Sequence, residues 1–346
     1  MTDNNFPKNF MHYDSQKLLE EYNELTANIK SAYKLGDTVG LPSLKEDIDH
    51  VFVIGMGGSA ISGDLLKLFL ESEGYSKPVS VIRDYKVPLY MTKNSLVFVI
   101  SYSGNTEETL NAYRRTLRKT DNVIAIGTGG KLEETANLNR RSFLPVPKGH
   151  QPRTAALSFL FFPLIKILER LDEIEKQEHK IAKFVNDIVK PDFKRLAISI
   201  SAKLFEKTPI IYASSKYYPL AYRLKTQINE NAKTHAFANQ YSEINHNEIL
   251  ALERSQEEYH VITFQFDDDH RRIIKRMGFI KEMNQKAEGS TTEIKLSGPN
   301  ILTKMFSGLI IGDLSSYYLA LRYGRDPSPV PTITKLKEKM GSYISN

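Results

Sequence analysis

Hydroxyl side chains and a glycine are clustered in the segment Ser101-Tyr102-Ser103-Gly104-Asn105-Thr106. The apolar run at 96–100 is rich in β-branched residues and predicts a buried parallel strand, and helical spacing begins near Leu110. A turn between a strand and a helix presents backbone N–H groups at the positive end of the helix dipole. The segment therefore suits either of two roles, a binding loop for a phosphate or a cap for the following helix.

A second candidate binding turn follows the strand predicted at 51–54, in the run Gly55-Met56-Gly57-Gly58-Ser59. Glycines permit a close approach of the backbone to a ligand, and Ser59 would lie at the start of a helix predicted from about Ala60 to Glu71. The glycine spacing differs from G-x-G-x-x-G, and the next predicted strand ends without a clear acidic partner for a ribose. Both departures argue against a nicotinamide dinucleotide cofactor.

These two turns belong to a regular alternation of short apolar strands and helices. In the first half a helix over 14–34 is followed by predicted strands at 51–54, 79–82, 96–100, 123–126 and 142–145. The second half has predicted strands at 209–213, 234–237, 260–266 and 293–296 and helices at 219–232, 270–286 and 301–323. This alternation predicts an α/β fold with two doubly wound parallel sheets, in which ligands bind beyond the carboxyl ends of the strands. Because Ser59 and the 101–106 loop both follow strand ends, their placement favours the phosphate-binding role.

The length and composition indicate a globular protein of two domains. The chain has 346 residues, of which 41% are hydrophobic and 25% are charged. We expect residues 1–155 to form the first domain and residues 156–346 the second, with helical extensions at the N- and C-termini. Pro191 is a further candidate boundary.

Several functional classes are excluded or disfavoured by the composition. The absence of cysteine excludes disulfides, thiolate catalysis and cysteine-ligated metals. Neither a secretory signal nor an apolar run of ~20 residues is visible, so we expect a cytoplasmic protein without membrane contact. The net charge is +6, but the basic residues are scattered, and a small anionic substrate accounts for this charge as well as a nucleic acid does.

The two halves differ at the position that corresponds to the 101–106 loop. After the strand predicted at 260–266 the chain has Asp267-Asp268-Asp269, and three carboxylates repel a phosphate. We therefore expect one phosphate site per chain, in the first half. The same carboxylates with His270 are a conceivable metal site, but consecutive acidic residues are more typical of a solvated helix start.

Together these motifs resemble a known family. The runs 55–64 and 101–109 are similar to the sugar isomerase (SIS) domain, and the whole chain resembles the bifunctional phosphoglucose/phosphomannose isomerases, which contain two such domains. The supporting motifs, in the order of the family, are Pro152-Arg153-Thr154-Ala155, Asn229-Glu230-Asn231-Ala232-Lys233, Glu243-Ile244-Asn245-His246-Asn247-Glu248 and Asp326-Pro327-Ser328-Pro329-Val330. The resemblance implies flavodoxin-like domains and an interconversion of fructose 6-phosphate with glucose 6-phosphate or mannose 6-phosphate that needs no metal and no cofactor.

The resemblance also implies roles for individual residues and a homodimer. The residues implied in substrate and phosphate binding are Gly58, Ser59, Ser101, Ser103, Thr106 and Ser328. Those implied in catalysis are Glu230 as the base, His246 in ring opening, Arg153 near the sugar and the C-terminal Lys335. In the family the neighbouring subunit supplies the histidine. Ser328 stands where the family has threonine; the hydroxyl is retained, so the difference bears on substrate preference.

The residue types suit aldose–ketose isomerisation, although each has a plainer alternative. The reaction needs a base to move a proton between C1 and C2, an acid/base to open the ring and positive charge near an enediolate. Glu230 suits the first role and a histidine, which titrates near neutral pH, suits the second. The alternatives are a solvated glutamate, a loop histidine and, for Arg153, a surface ion pair. Periodicity does not show which of Lys335 and its neighbouring lysines faces inward.

Two other functions fit parts of the sequence. One is an isomerase specific for a single aldose phosphate. The other is a regulator that senses sugar phosphates through SIS domains, which would need a helix-turn-helix module with a basic recognition helix. Only about fifty residues precede the first predicted strand and they hold one clear helix, which disfavours the regulator. We expect sugar phosphates and a second copy of the chain as partners, and neither nucleic acid nor membrane.

Overall fold

The computed structural model describes residues 6–7, 10–151, 153–189, 192–254 and 256–341. Backbone contacts divide the chain into two compact units, one of Asn23–Val185 with Pro331–Asn346 and the other of Met1–Tyr22 with Asn186–Val330. We call these the first-sheet unit and the second-sheet unit. Pro152 and Pro191, which the sequence singled out, lie outside the described residues.

The first-sheet unit contains five parallel strands in the order β2-β1-β3-β4-β5. The strands are β1 (Val51–Ile54), β2 (Val79–Ile82), β3 (Leu96–Ile100), β4 (Val123–Gly127) and β5 (Ser142–Pro145). Every residue of β1, β3 and β4 is buried, as expected for central parallel strands covered on both faces. These strands agree with the predicted ones, because continuous β-branched runs identify buried strands well.

Helices alternate with these strands. They are α1 (Leu18–Leu35), α2 (Gly57–Ser72), α3 (Glu107–Thr116), α4 (Gly130–Leu138), α5 (Ala156–Arg170) and α6 (Glu178–Ile188). Helix α5 packs against α2, and the Tyr33 hydroxyl on α1 donates to the Glu169 carboxylate on α5 at 2.6 Å. The contacts of α5 thus place it with the first sheet, whereas the predicted boundary at 155/156 would assign it to the second half.

The second-sheet unit contains four parallel strands in the order β7-β6-β8-β9. The strands are β6 (Thr208–Ala213), β7 (Phe237–Gln240), β8 (Tyr259–Phe266) and β9 (Ser290–Leu296), and the helices are α7 (Phe193–Leu204), α8 (Tyr218–Gln227), α9 (Tyr241–Ile244), α10 (Arg271–Lys286) and α11 (Ile301–Arg322). Nearly every residue of α11 is buried, so it forms the centre of this unit. A final helix, α12 (Pro331–Met340), is grouped with the first-sheet unit.

The two strand orders have the same pattern, with the first strand of each unit between the second and the third. This pattern confirms the predicted fold of two doubly wound, flavodoxin-like α/β domains. Two elements differ from prediction. The strand expected at 234–237 lies at Phe237–Gln240, and the helix expected at 219–232 consists of α8 followed by one π-helical turn, Ile228–Ala232. Among the described helices, none has the length and apolar character needed to span a bilayer.

Candidate active site

The carboxyl ends of β1 and β3 form the topological switch point of the first sheet. The two strands are adjacent and in register, with Ile54 opposite Val99. Because β2 lies on one side of β1 and β3 on the other, the connections after β1 and β3 diverge and leave a crevice between them, which is where ligands bind in such sheets. The turn with Ser59 and the 101–106 loop both lie at this crevice, as the sequence predicted.

One hydrogen bond joins the two turns, and a second joins two hydroxyls within the 101–106 loop. The Tyr102 N–H donates to Ser59 Oγ at 3.2 Å, and Ser101 Oγ donates to Thr106 Oγ1 at 3.0 Å. Ser59 and Ser101 are buried, while Ser103 is exposed and its Oγ accepts from the Asn105 N–H at 3.3 Å. The structure therefore brings four of the predicted phosphate-binding residues to one place, at the N-terminal ends of α2 and α3.

Thr106 occupies the N-cap position of α3, so its contacts bear on the two roles suggested by the sequence. Within the described chain, its side chain makes no cap hydrogen bond to α3. Its Oγ1 instead accepts the hydrogen bond from Ser101. Met56, at the cap of α2, is equally without a side-chain cap bond in this part of the chain, and Gly58 lies in the first turn of α2. Two helix N-termini with positive dipole ends therefore face the crevice, an arrangement that favours a bound anion.

Gly104 allows the 101–106 loop to pack tightly on the turn after β4. Its φ is +68°, in the left-handed region, and a Cβ at this position would lie 1.7 Å from the carbonyl oxygen of Gly129. The Leu132 N–H donates to the Gly104 carbonyl at 2.9 Å, and the Thr128 N–H donates to the Tyr102 carbonyl at 2.9 Å. The loop that carries the hydroxyls is thus held by backbone contacts on its far side.

Arg153 lies in the turn before α5 and is almost fully buried. Next to it, the Thr154 N–H donates to the Gln151 carbonyl at 3.0 Å. Burial argues against the surface ion pair that the sequence left open, because such pairs are solvated.

Glu230 lies on the π-helical turn Ile228–Ala232 and is half-buried. Single π turns within helices occur often at functional sites. The amide of Asn231 donates to Ser316 Oγ at 2.9 Å, and the amide of Asn229 donates to the Thr234 carbonyl at 2.8 Å. Both asparagines of the motif therefore hold the turn that presents Glu230.

A buried ion pair lies beneath this turn. Arg223 Nε and Nη2 donate to the two carboxylate oxygens of Asp313 at 3.1 and 2.7 Å, and both side chains are almost fully buried. Burial acts to lower the pKa of Arg223, but the charge of Asp313 overcomes it and the pKa is raised, with a smaller contribution from Glu230. Glu230 is therefore within electrostatic reach of a fixed buried cation.

His246 is exposed on a loop whose other side chains are hydrogen-bonded. Arg276 Nη1 donates to Asn245 Oδ1 at 3.0 Å, and Asn247 Nδ2 donates to Glu243 Oε1 at 2.6 Å. The Glu248 carboxylate accepts from the hydroxyl of Tyr212 at 2.6 Å and from the amide of Asn239 at 2.8 Å. Burial and the neighbouring Glu248 carboxylate raise the pKa of Tyr212, which keeps this hydroxyl a donor. The loop is thereby fixed while its imidazole projects into solvent.

Ser328 and Lys335 lie close in sequence in different surroundings. Ser328 is buried in the second-sheet unit, and its N–H donates to Asp326 Oδ1 at 2.9 Å. Lys335 lies on α12, all of whose residues are exposed. The role implied for Lys335 stays a prediction.

The switch point of the second sheet has a different chemistry. Lys304 Nζ lies 2.5 Å from Asp267 Oδ1 and 3.0 Å from Asp268 Oδ1, and Lys216 Nζ lies 2.7 Å from Asp268 Oδ2. Burial acts to raise the pKa of Asp268, but hydrogen bonds from Lys216, Tyr217 and Lys304 outweigh it and lower the pKa. These carboxylates are neutralised by lysines of the same unit, and the expectation of one phosphate site in the first half stays a prediction.

Two residues near the predicted site were not assigned roles from the sequence. They are Glu248, which anchors the loop of His246, and Lys233, whose ammonium contacts the Glu230 carbonyl at 2.8 Å. Both belong to motifs that carried the family resemblance, and their membership in those motifs is the signal that could have identified them. Some of their partners, the Tyr212 hydroxyl for Glu248 and the carbonyls of Asp326 and Pro327 for Lys233, are distant in sequence and could not be read from it.

Two family models match the chain. Residues 46–143 match the SIS domain, and residues 193–340 match the bacterial phospho-glucose isomerase C-terminal SIS domain. The first match covers β1 to β4 and the start of β5, and the second match covers all four strands of the second sheet.

Curated proteins match over most of the length. The bifunctional phosphoglucose/phosphomannose isomerase of Caldicellulosiruptor bescii is 38% identical over 336 residues, which cover 93% of this chain and 98% of the relative. The bifunctional phosphoglucose/phosphomannose isomerase of Thermoplasma acidophilum is 34% identical over 293 residues, which cover 84% of this chain and 89% of the relative.

Solved structures share the fold at low sequence identity. The C-terminal domain of glucosamine-fructose-6-phosphate aminotransferase from Francisella tularensis has a TM-score of 0.70 at 17% identity and covers 90% of this chain and 98% of that one. The tagatose-6-phosphate ketose/aldose isomerase from Escherichia coli has a TM-score of 0.63 at 14% identity and covers 93% of each chain.

Proposed function

This chain belongs to the family of bifunctional phosphoglucose/phosphomannose isomerases, and from that premise we propose that it interconverts glucose 6-phosphate and mannose 6-phosphate with fructose 6-phosphate. The observation that carries the proposal is the hydroxyl-lined switch point at two helix N-termini, where Ser101 Oγ donates to Thr106 Oγ1 and Ser59 Oγ accepts from the Tyr102 N–H. Such a site suits the phosphate that all three sugars share.

Binding of the substrate phosphate is assigned to the first-sheet unit. Hydroxyls of Ser59, Ser101, Ser103 and Thr106 and backbone N–H groups near Gly58 would bind its oxygens. These groups are neutral apart from the helix dipoles. We assign them the role of holding the substrate by its phosphate, which is remote from the reacting carbons C1 and C2. Binding energy from a remote group can be used to orient the reacting carbons.

The chemical steps are assigned to Glu230, His246 and Arg153. His246 opens the sugar ring by proton transfer between the anomeric hydroxyl and the ring oxygen. Glu230 removes the proton from C2 of the aldose, and the resulting cis-enediol receives a proton at C1 to give the ketose. Arg153 supplies positive charge as the enediolate forms. Glucose 6-phosphate and mannose 6-phosphate differ in configuration at C2 alone, so both give the same enediol.

Two further assignments complete the proposal for catalysis. Lys335 is proposed to contribute a second positive charge, and Ser328 to contact the sugar in place of the family threonine. The steps use protons that these side chains exchange with the substrate, and we propose that they need no added metal or cofactor. We place the reaction in the cytoplasm, where sugar phosphates are made and used.

The assay that tests this function is formation of fructose 6-phosphate from each aldose phosphate, measured with a chelator present. Turnover of both substrates supports the bifunctional enzyme. Turnover of one alone would indicate the single-specificity isomerase, and binding without turnover would indicate a sugar-phosphate sensor. Loss of activity with the chelator would contradict the metal-free mechanism.

Glu230→Gln tests the assignment of the base. It keeps the side-chain size and removes the carboxylate, so kcat should fall by about 10²–10⁴-fold while fructose 6-phosphate still binds. Glu258→Gln, at an exposed glutamate of the same unit, is the matched control and should leave kcat unchanged. Near-normal turnover by Glu230→Gln would refute the assignment.

We also propose that the active form is a homodimer in which His246 acts in the partner's site. On the second-sheet unit the imidazole is exposed, and Phe237, Leu250 and Phe279 are each more than half exposed. Apolar side chains of this size in solvent are consistent with a surface that another molecule covers.

Mixing two inactive variants tests the shared site. In a heterodimer of Glu230→Gln with His246→Asn, one site has both changes and the other has neither. Random exchange of subunits should therefore restore about one quarter of wild-type activity. If His246 acts within its own chain, every site keeps one lesion and no activity returns.

A further inference from the structure

Lys233 ends the π turn that carries Glu230 and lies in the left-handed conformation, with φ 57° and ψ 35°. This conformation is unfavourable for residues with a Cβ and is usually taken by glycine or asparagine. The backbone conformation therefore does not account for a lysine at this position, but the contacts of the lysine side chain do.

The ammonium of Lys233 donates to three backbone carbonyls. Nζ lies 2.8 Å from the carbonyl oxygen of Glu230, 2.9 Å from that of Asp326 and 3.0 Å from that of Pro327. A lysine ammonium has three donors, so these contacts can satisfy all of them. Hydrogen bonds from a charged donor are also stronger than neutral ones.

These contacts tie together two segments of the second-sheet unit that are far apart in sequence. One is the π turn with Glu230, which α11 also holds through the contact between Asn231 and Ser316. The other is the segment 326–328, where the Ser328 N–H donates to Asp326 Oδ1 and the Ser328 side chain is buried. Lys233 thus sets the spacing between the proposed base and a proposed substrate-binding residue.

We propose that Lys233 is a positioning residue for isomerisation, one that holds the Glu230 turn and the Ser328 segment in register through their carbonyls. The inference rests on the proposed function, in which Glu230 moves the proton. Proton transfer requires the carboxylate to be placed within a fraction of an ångström, whereas phosphate binding in the first-sheet unit does not depend on this tie. Loss of the tie should therefore lower kcat more than it changes KM.

Lys233→Asn tests the proposal, because asparagine tolerates the left-handed conformation and lacks the ammonium. We expect kcat to fall about 10- to 100-fold with KM within about threefold of wild type. Lys233→Arg, which retains a long cationic donor, should recover part of the loss. Lys17→Asn is the matched control, because Lys17 is also left-handed, with φ 55°, but has an exposed ion pair with Glu20 instead of a carbonyl tie.

Hydrogen exchange provides a readout that does not depend on catalysis. In Lys233→Asn the amide of Ser328 should exchange faster than in wild type, and in Lys17→Asn it should not. Unchanged kcat in Lys233→Asn, or a rise in KM with kcat unchanged, would overturn the proposal. If this variant does not fold, Lys233→Gly, which has no Cβ at this φ, is judged by the same split between kcat and KM.

The outcome separates this inference from the proposed function. If the wild-type chain does not isomerise sugar phosphates, the proposed function fails and the positioning role fails with it. If the wild type is active and Lys233→Asn matches it in both kcat and Ser328 exchange, the proposed function stands and the positioning role is refuted.

Discussion

Replacing Gly104 by alanine is the most direct test of the tight packing behind the phosphate-binding loop. The backbone at Gly104 has φ +68°, which costs an L-residue about 1–2 kcal/mol. The added Cβ would also lie 1.7 Å from the Gly129 carbonyl oxygen, so one of the two backbone segments must move. Overpacking of this kind costs about 1–3 kcal/mol. We expect Gly104→Ala to lower the free energy of unfolding by about 2–5 kcal/mol.

The measurement is urea unfolding of the two variants Gly104→Ala and Gly74→Ala beside the wild type. Gly74 has φ +80°, and among the described residues no atom lies within 4 Å of the Cβ that alanine would add there. Gly74→Ala therefore carries the conformational cost without the clash. We expect it to be less destabilised than Gly104→Ala by about 1–3 kcal/mol, the overpacking contribution.

Catalysis gives a second measurement for the same pair. A shift of the 101–106 loop would move Ser101 and Thr106 away from the phosphate, so KM for fructose 6-phosphate should rise in Gly104→Ala and stay unchanged in Gly74→Ala. Equal loss of stability in the two variants, together with equal KM values, would refute the argument that the loop is held against the Gly129 carbonyl.

Two further predictions concern buried charge in the second-sheet unit. Asp313→Asn should lower the free energy of unfolding by about 3–5 kcal/mol because it leaves Arg223 buried without its carboxylate. The double variant Arg223→Met/Asp313→Leu should recover much of this loss. A change below about 1 kcal/mol in the single variant would contradict a stabilising ion pair. His260 is buried with its ring nitrogens 2.6 and 2.9 Å from Ser290 Oγ and Thr292 Oγ1, and burial first, then nearby lysines, lower its pKa to about 4. The unfolded chain, with an ordinary histidine pKa near 6.5, binds the proton more readily than the folded chain. The contribution of neutral His260 to the free energy of unfolding is therefore complete above pH 6.5, and roughly 3 kcal/mol of it is lost as the pH falls toward 4. His260→Gln should flatten this dependence in unfolding measured at several pH values, and an unchanged slope would show that another group is responsible.

The central strands β1, β3 and β4 could be predicted from the sequence because each is a short, continuous apolar run. Strand β7 was misplaced by three residues, since it lies at the edge of its sheet and its half-exposed residues give a weaker pattern. The predicted placement at 234–237 continued directly from the preceding helix. In the structure the left-handed Lys233 ends the π turn, and pairing with β6 begins only at Phe237, opposite Ile210.

The phosphate loop could be located from the sequence, but the surroundings of the proposed base could not. Ser59 and the 101–106 loop follow strand ends, and the rule for doubly wound sheets places ligands there. The π turn has no signature in hydrophobic periodicity, because the apolar spacing of α8 continues through it. Two of the three acceptors of Lys233 are the backbone carbonyls of residues 326 and 327, and every residue has such a carbonyl whatever its side chain.

The two sheets share a topology, yet the rule that ligands bind at the carboxyl ends of the strands locates the phosphate loop and does not locate Glu230. At the switch point of the second sheet, Asp267 and Asp268 are paired with Lys216 and Lys304, so the position equivalent to the phosphate loop is already filled by charges of its own unit. Glu230 follows α8, which connects two parallel strands and therefore runs from the carboxyl edge of the sheet back toward its amino edge. A base at that end cannot be inferred from the carboxyl-edge rule. It must be argued from its own surroundings, the Asn231 contact, the buried Arg223 and the Lys233 tie, because function is a property of sites and not of the fold that carries them.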